Sequence, residues 1–249
     1  MSQKPLLFGL AMALACAGPA LAGPVEVRYQ EGVSRAFPTL KSVDNEKLAD
    51  GEFIQVAHGD RVVNRLVFRF KDGSLHDETV VYSQRGVFNL LTYRLVQRGR
   101  SFPETIEAFI DRATERYEVR YRADDDSPEE HLTGRFTLPN DIYNGMLCLI
   151  VKNLSPGTTE TVSIVAFTPK PRVVQLKLQP VAEEGTRVGG MTLSSTRYHI
   201  RPQLGLFASL LVTDIPDMRV WVVPGEAPAF LRAEGPLFFM GPVWRIEPN

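Results

Sequence analysis

Apolar and polar residues alternate with a period of two through much of this chain. In the stretch RLVFRF, Leu66, Phe68 and Phe70 share one side and Arg69 lies on the other. Successive side chains of a strand point to opposite faces, so this pattern is typical of strands with one buried face. An Asp-Gly pair follows and favours a tight hairpin. We therefore predict a meander of three antiparallel strands within residues 65–98.

The same period predicts strands on both sides of this meander. Near the start of the chain, Val25, Val27 and Tyr29 share one face of VEVRYQEG. In the second half, we predict a loop over residues 183–190 between two strands. The strands predicted for that half are TVSIVAFTP, RVVQLKLQPV, MTLSSTRYHI, LGLFASLLVTD, RVWVVPGE, PAFLRAE and GPVWRIE.

Two interpretations stand for residues 101–126. Ser101 and Glu104 form a capping-box pattern, and Ile106 with Ile110 fits one face of a helix. The same residues also alternate, and the YEVRYR that follows is typical of a strand. We favour a hairpin in which DRATER is the turn.

One segment, residues 140–153, predicts a helix. Ile142, Met146 and Ile150 recur at a spacing of four and form an apolar stripe. Gly145 lowers helix propensity, which indicates a close approach to neighbouring backbone. We therefore predict a mostly β protein, with an antiparallel curved sheet or half-barrel and one buried central helix.

The first 22 residues predict a secretory signal peptide, which leaves a single domain over residues 23–249. Lys4 precedes the apolar run LLFGLAMALACAG, and the residues before Gly23 fit the small-x-small pattern of signal peptidase sites. The run is shorter than the about 20 residues that a membrane-spanning helix needs. We expect a periplasmic or secreted protein with no transmembrane segment after cleavage. The alternative is a lipoprotein anchored through Cys16.

Charge and cysteine content narrow the class of protein further. The 28 basic and 29 acidic residues give a net charge of −1, which removes a general electrostatic case for binding nucleic acid or anionic lipid surfaces. After cleavage, Cys148 is the single remaining thiol, so we expect no internal disulfide.

Motifs of common enzymes are missing from the chain. We find no G-x-S-x-G, H-E-x-x-H, Walker loop or C-x-x-C, and the histidines are scattered. We therefore predict no catalytic residue, no metal site and no cofactor. The strongest acid–base candidate is His76 with Asp77 or Glu78, but we favour an exposed turn and the solvated face of a strand as the explanation of these residues. The run ADDDSPEE is typical of a charged hairpin tip rather than a calcium loop.

Arginine outnumbers lysine by 21 to 7. One interpretation is a concave face that contacts an anionic head group through Arg94, Arg98 and Arg120. The other is a set of cross-strand ion pairs with Glu78, Glu107 and Glu118.

The end of the chain holds both tryptophans and several other large apolar side chains on short strands. These side chains either complete a packed core or, together with the helix, line an apolar cavity. The residues of this candidate wall are Trp221, Phe230, Phe238, Met240, Trp244, Ile142, Met146 and Ile150.

The order of these elements resembles exported families of unknown function that are built as a half-open β-barrel. The segments that carry the resemblance are FRFKDGSLHDETVVYSQ, LPNDIYNGM and PAFLRAEGPLFFMGPVWRIE. Such domains are similar in shape to periplasmic lipoprotein carriers, whose curved sheet and helices enclose an apolar cavity for acyl chains. The resemblance implies the same architecture here.

We expect a non-catalytic binding or carrier protein for a hydrophobic or lipid-like ligand. One alternative is a structural protein of the cell envelope with a fully packed core, which binds an envelope protein as partner. A third hypothesis is a hydrolase of envelope glycan or lipid that acts through His76.

Overall fold

The computed structural model describes residues 23–188, 190–203 and 216–248. Within these ranges, fifteen strands join into one antiparallel sheet, and a single short helix packs against it. The strands are β1 (Ser34–Ala36), β2 (Pro38–Lys41), β3 (Lys47–His58), β4 (Arg61–Phe70), β5 (Leu75–Arg85), β6 (Val87–Arg98), β7 (Thr105–Asp111), β8 (Arg116–Arg122), β9 (Glu130–Arg135), β10 (Glu160–Phe167), β11 (Pro171–Val188), β12 (Met191–Gln203), β13 (Met218–Val223), β14 (Ala229–Gly235) and β15 (Trp244–Pro248), and the helix is α1 (Leu147–Asn153).

Two meanders make up the sheet. Strands β2 to β9 follow one another in chain order, and β10 to β15 do the same. The meanders meet where β15 pairs with β2, so the first and last parts of the chain lie side by side in the middle of the sheet. β1 lies off this path and pairs with β3. Among the described strands, β9 and β10 end the path and do not pair with each other, so the sheet is curved but unclosed.

The helix spans the inside of the curve. α1 packs against β13 and β14, and Gly145, in the turn before α1, contacts Val80 and Glu78 of β5. Five strand spacings separate β14 from β5 along the sheet, an arc of about 24 Å. We call the face that α1 contacts the inner face and the opposite one the outer face.

The inner face carries the main core. Val62, Tyr82, Phe88 and Leu90 are fully buried there on strands β4 to β6. A second, smaller cluster of buried residues lies beside the β2–β15 pair and consists of Leu40, Ala49, Phe68, Phe70, Phe102 and Trp244.

The predicted fold class is confirmed, as is the three-stranded meander, which is β4 to β6. The hairpin interpretation of residues 101–126 is also confirmed, because β7 and β8 pair from Thr105 to Arg122.

Two predicted local structures are wrong. The N-terminal strand is absent, and only Glu26 forms an isolated bridge, with Val87. The backbone N–H of Val25 donates instead to the Tyr143 hydroxyl at 2.7 Å, which ties this segment to the residues before α1. The predicted loop at residues 183–190 is strand up to Val188, because β11 absorbs a bulge near Pro180 and stays paired with β12.

The helix is shorter than predicted and begins at Leu147. Gly145 has φ = +65°, a left-handed conformation that interrupts a right-handed helix. Ile142 forms a parallel bridge with Ser163, and the Asn144 side chain exchanges hydrogen bonds of 2.8 and 2.7 Å with the Val165 backbone. The first half of the segment therefore pairs with β10, and its apolar residues are buried in extended and turn conformations.

The predicted signal peptide, residues 1–22, and the predicted strand LGLFASLLVTD, residues 204–214, lie outside the described residues. In the part of the chain that the structure describes, no helix has the length and apolar character needed to cross a membrane.

Gly145 offers a test of the packing between the helix turn and the sheet. A Cβ atom there would lie 2.4 Å from Val80 Cγ2, in addition to the strain of its positive φ. We expect Gly145→Ala to lower the free energy of unfolding by about 3 kcal/mol or more. Gly157 also has a positive φ, but a Cβ atom there would have no neighbour within 4 Å, so Gly157→Ala should cost about 1 kcal/mol. Urea unfolding measures both, and equal losses would contradict the close approach.

Candidate functional site

A cavity of about 720 Å³ lies between the inner face of the sheet and α1. It occupies the space under the arc from β14 to β5 that the short helix does not fill. The lining residues are Glu31, Ser34, Ala36, Phe37, Pro38, Phe53, Gln55, Asn64, Leu66, Glu78, Val80, Gly145, Cys148, Leu149, Lys152, Pro228, Ala229, Phe230, Ile246 and Pro248.

Most of the wall is apolar. Phe53 and Leu66 are cross-strand neighbours on β3 and β4, and Phe230 and Ile246 come from β14 and β15. Leu149 of α1 lines the cavity as well. Cavities of about 300–1,000 Å³ with mainly apolar walls and a few polar groups are typical of small-molecule sites.

One part of the wall is polar. Lys152 Nζ lies 2.6 Å from Glu31 Oε1, and the two side chains are only 16% and 12% exposed. Gln55 Nε2 donates to Glu31 Oε2 at 3.0 Å, and Gln55 pairs directly with Asn64 across β3 and β4. We call Glu31, Gln55, Asn64 and Lys152 the polar patch.

A second carboxyl group, that of Glu78, faces the cavity from β5. The Tyr93 hydroxyl donates to Glu78 Oε1 at 2.8 Å. Burial raises the pKa of the Glu78 carboxyl, and this hydrogen bond opposes the rise. Burial, followed by the nearby Glu78 carboxyl, raises the pKa of the Cys148 thiol to about 12. The thiol is therefore protonated and unreactive at neutral pH.

Within the described ranges, Asn64 Oδ1 of the polar patch and the hydroxyl oxygen of the neighbouring Tyr82 are buried without a hydrogen-bond partner of good geometry. Burial and the neighbouring Glu31 carboxyl raise the pKa of Tyr82, so its hydroxyl stays protonated. Buried polar groups without partners are uncommon and call for an explanation.

The mouth of the cavity is exposed and partly apolar. All three residues of β1 are exposed, and Phe37 is 55% exposed between β1 and β2. The Arg35 guanidinium lies 5.0 Å from the centre of the Phe37 ring. Ala229 and Pro248 line the same cavity and are exposed too. An apolar molecule therefore has direct access from solvent.

The expected aromatic wall is divided among three places. Phe230 lines the cavity, whereas Phe238 and Trp244 pack with Phe70 and Phe102 at the β2–β15 junction. Trp221 is buried elsewhere.

Trp221 contacts a cation and an acid instead of the cavity. The Arg232 guanidinium lies 4.0 Å from the centre of its ring, and its indole N–H donates to Glu184. Met240 is 47% exposed in a turn with φ = +60°.

The helix stripe also lies away from the cavity. Ile142, Met146 and Ile150 are fully buried in the main core. The residues of α1 that line the cavity are Cys148, Leu149 and Lys152. The predicted stripe is buried as expected, but against the sheet and not against a ligand space.

The arginines proposed as head-group contacts lie on the outer face. Arg94 pairs with Glu107 at 2.6 Å, and Arg120 pairs with Glu118 at 3.2 Å. Arg98 is exposed at the end of β6. The Arg94–Glu107 pair joins β6 to β7, as the cross-strand interpretation predicts, whereas Arg120 pairs within its own strand. The expected role of Glu78 in such pairs is wrong, because Glu78 lies on the inner face.

His76 and its neighbours point to different faces. His76 is buried beside Gln97, whose Nε2 lies 2.9 Å from His76 Nδ1, and burial lowers the pKa of His76 to about 4. Asp77 lies on the outer face in a bidentate pair with Arg65, at 3.0 and 2.6 Å. His76 and Glu78 share the inner face, but Glu78 lines the cavity and His76 does not.

The polar patch was not predicted. One residue in the sequence could have indicated it. Asn64 is a polar amide at a position that faces inward, like Leu66 and Phe68, on an otherwise apolar strand face. Glu31 and Lys152 carry no comparable signal. Within the described ranges, no group of three or more His, Cys, Asp and Glu side chains is placed to hold a metal ion.

Glu78 gives the site a pH-dependent contribution to stability. The folded state raises the pKa of this carboxyl above the usual 4.5, so the folded protein binds the proton more tightly than the unfolded chain. Its contribution to stability is therefore present at low pH and lost as the pH rises through the folded pKa. Glutamine does not titrate, so Glu78→Gln removes this loss. We therefore expect the free energy of unfolding to fall less between pH 5 and pH 8 in Glu78→Gln than in the unchanged protein. Urea unfolding at both pH values measures this, and Glu107→Gln on the outer face is the control; an identical shift in both variants would contradict the assignment.

No protein-family model matches the chain, and no curated protein matches it either. Among solved structures, it is similar to a beta-barrel-like protein of domain of unknown function DUF1849 from Brucella abortus, with 10% sequence identity and a TM-score of 0.46. That likeness covers 88% of this chain and 96% of the other.

Proposed function

We propose that this protein is a non-catalytic binding or carrier protein, exported to the periplasm, for a hydrophobic or lipid-like ligand. The observation that supports the proposal is the cavity of about 720 Å³ under the curved sheet. Its volume and its mainly apolar wall suit an acyl or alkyl chain. Residues 1–22 support the export of the chain, because their sequence is typical of a signal peptide.

The position of the mouth favours exchange of a ligand over permanent burial. Exposed β1 and Phe37 border the cavity, so a chain can enter without opening the core. The stripe of Ile142, Met146 and Ile150 lies in the main core and does not line the cavity, although Val80 and Leu149 belong to both. Occupancy can therefore change without moving this stripe.

A second candidate function, binding of an envelope protein, has one observation in its favour. The sheet is unclosed, and among the described strands β9 and β10 each pair on one side only. Strand edges of this kind can accept a strand from another chain. On that hypothesis the cavity is incidental and empty.

The two candidates predict different contents for the isolated protein. We expect protein purified without detergent from its own envelope to release a lipid-like molecule on organic extraction, near one per chain by mass analysis. A protein that is repeatedly empty and co-purifies with a partner would contradict the carrier and support the second candidate.

A variant that narrows the mouth links the ligand to this cavity. We expect Ala229→Trp to reduce the extracted ligand severalfold, because the larger ring occupies space beside Phe230. Val173→Trp, at an exposed position of β11 that does not line the cavity, is the matched control. Equal occupancy in both variants would place the ligand elsewhere.

A further inference from the structure

Among the described residues, the charged side chains that line the cavity are two carboxylic acids and one amine. They are Glu31, Glu78 and Lys152. The ammonium of Lys152 is already paired with Glu31 at 2.6 Å, and Glu78 is either neutral or negative. The wall therefore carries no excess of positive charge that could attract an anion.

An anionic head group would have to compete with the existing ion pair. Drawing Lys152 away from Glu31 would leave a largely buried carboxylate without its partner, which is strongly unfavourable. The incoming carboxylate or phosphate would also lie near Glu31 and Glu78, which repel it when ionised. Arg94 and Arg120 cannot compensate, because they are paired on the outer face.

Uncharged hydrogen-bonding groups find better partners in the polar patch. An ionised carboxylate accepts about four hydrogen bonds, and Lys152 and Gln55 supply two to Glu31. A hydroxyl or amide N–H of a ligand can donate to the remaining positions. The side-chain amides of Gln55 and Asn64 lie next to each other on the wall. Gln55 Nε2 already donates to Glu31 and to the Gly32 carbonyl, so these amides offer a ligand mainly their carbonyl oxygens, which accept from a hydroxyl or N–H.

We infer that the cavity takes an uncharged amphiphile. Its acyl or alkyl chain lies along Phe53, Leu66 and Phe230, and its hydroxyl- or amide-bearing end lies at Glu31 and Gln55. This inference rests on the proposed carrier function and specifies the class of ligand. The Glu31–Lys152 ion pair is then the feature that disfavours fatty acids and phosphorylated lipids.

A pair of lipids with the same chain tests the selection. The delipidated protein is loaded with N-phenyl-1-naphthylamine, an uncharged fluorescent probe, which is then displaced at pH 8 by monoolein or by oleate. We expect monoolein to bind at least about tenfold more tightly, which corresponds to about 1.4 kcal/mol.

Charge-changing variants test the assignment to the polar patch. Glu31→Gln frees the Lys152 charge, so oleate should bind about tenfold more tightly than it does to the unchanged protein, while monoolein gains nothing. Glu107→Gln changes the net charge by the same amount on the outer face and should alter neither affinity. Should Glu31→Gln fail to fold, Glu78→Gln removes an acid from the wall without touching the ion pair, and oleate should gain in the same direction.

The outcomes separate this inference from the proposed function. Failure of both lipids to displace the probe would overturn the carrier function. Displacement by both, with oleate as tight as monoolein or tighter, would overturn the inference and leave the carrier intact. A preference for monoolein that neither variant changes would overturn the role given to Glu31 and Lys152.

Discussion

The pairing of β2 with β15 is the contact on which the rest of the sheet depends. It joins two meanders that, among the described strands, share no other strand pair, over the four residue pairs from Lys41–Arg245 to Pro38–Pro248. A short ladder of this kind needs support from side chains. Lys41 bonds to Glu247 across the pair, and Leu40 is fully buried beneath it. Phe238 and Trp244 pack in the cluster beside this ladder, which explains why the end of the chain is so rich in aromatic residues.

Curvature and the short helix together create the cavity. A longer helix over residues 140–153 would have crossed more of the inner face and filled the space under the arc. The left-handed Gly145 and the pairing of Ile142 with Ser163 limit α1 to seven residues. The unfilled part of the arc is where the polar patch and the mainly apolar wall lie. The features that end the helix therefore also determine the size of the cavity.

The sequence alone was informative where burial is periodic and local. β4 to β7 alternate, and the turns that join them carry Gly, so the meander was predictable. The turn between β7 and β8 has no glycine, and the hairpin was favoured there because YEVRYR is typical of a strand. β3 was missed because Asp50, Gly51 and Glu52 interrupt its alternation. A Cβ at Gly51 would lie 2.6 Å from the Pro38 carbonyl oxygen, so glycine is needed at this position of β3, where the start of β2 approaches its backbone. The cavity was not predictable in detail, since Glu31 and Lys152 are 121 residues apart and meet only through the complete fold.

The position of the β2–β15 pair has a consequence for the order of folding. Lys41 and Glu247 are 206 residues apart, and every other strand of the path lies between them in the chain. Each meander consists of neighbouring hairpins and can form early, but their union requires a contact of very high sequence separation, which is slow to form. During synthesis from the N-terminus, this arrangement delays completion of the native sheet until the last strand has left the ribosome. Until then β2 lacks its partner β15, and the two meanders cannot join.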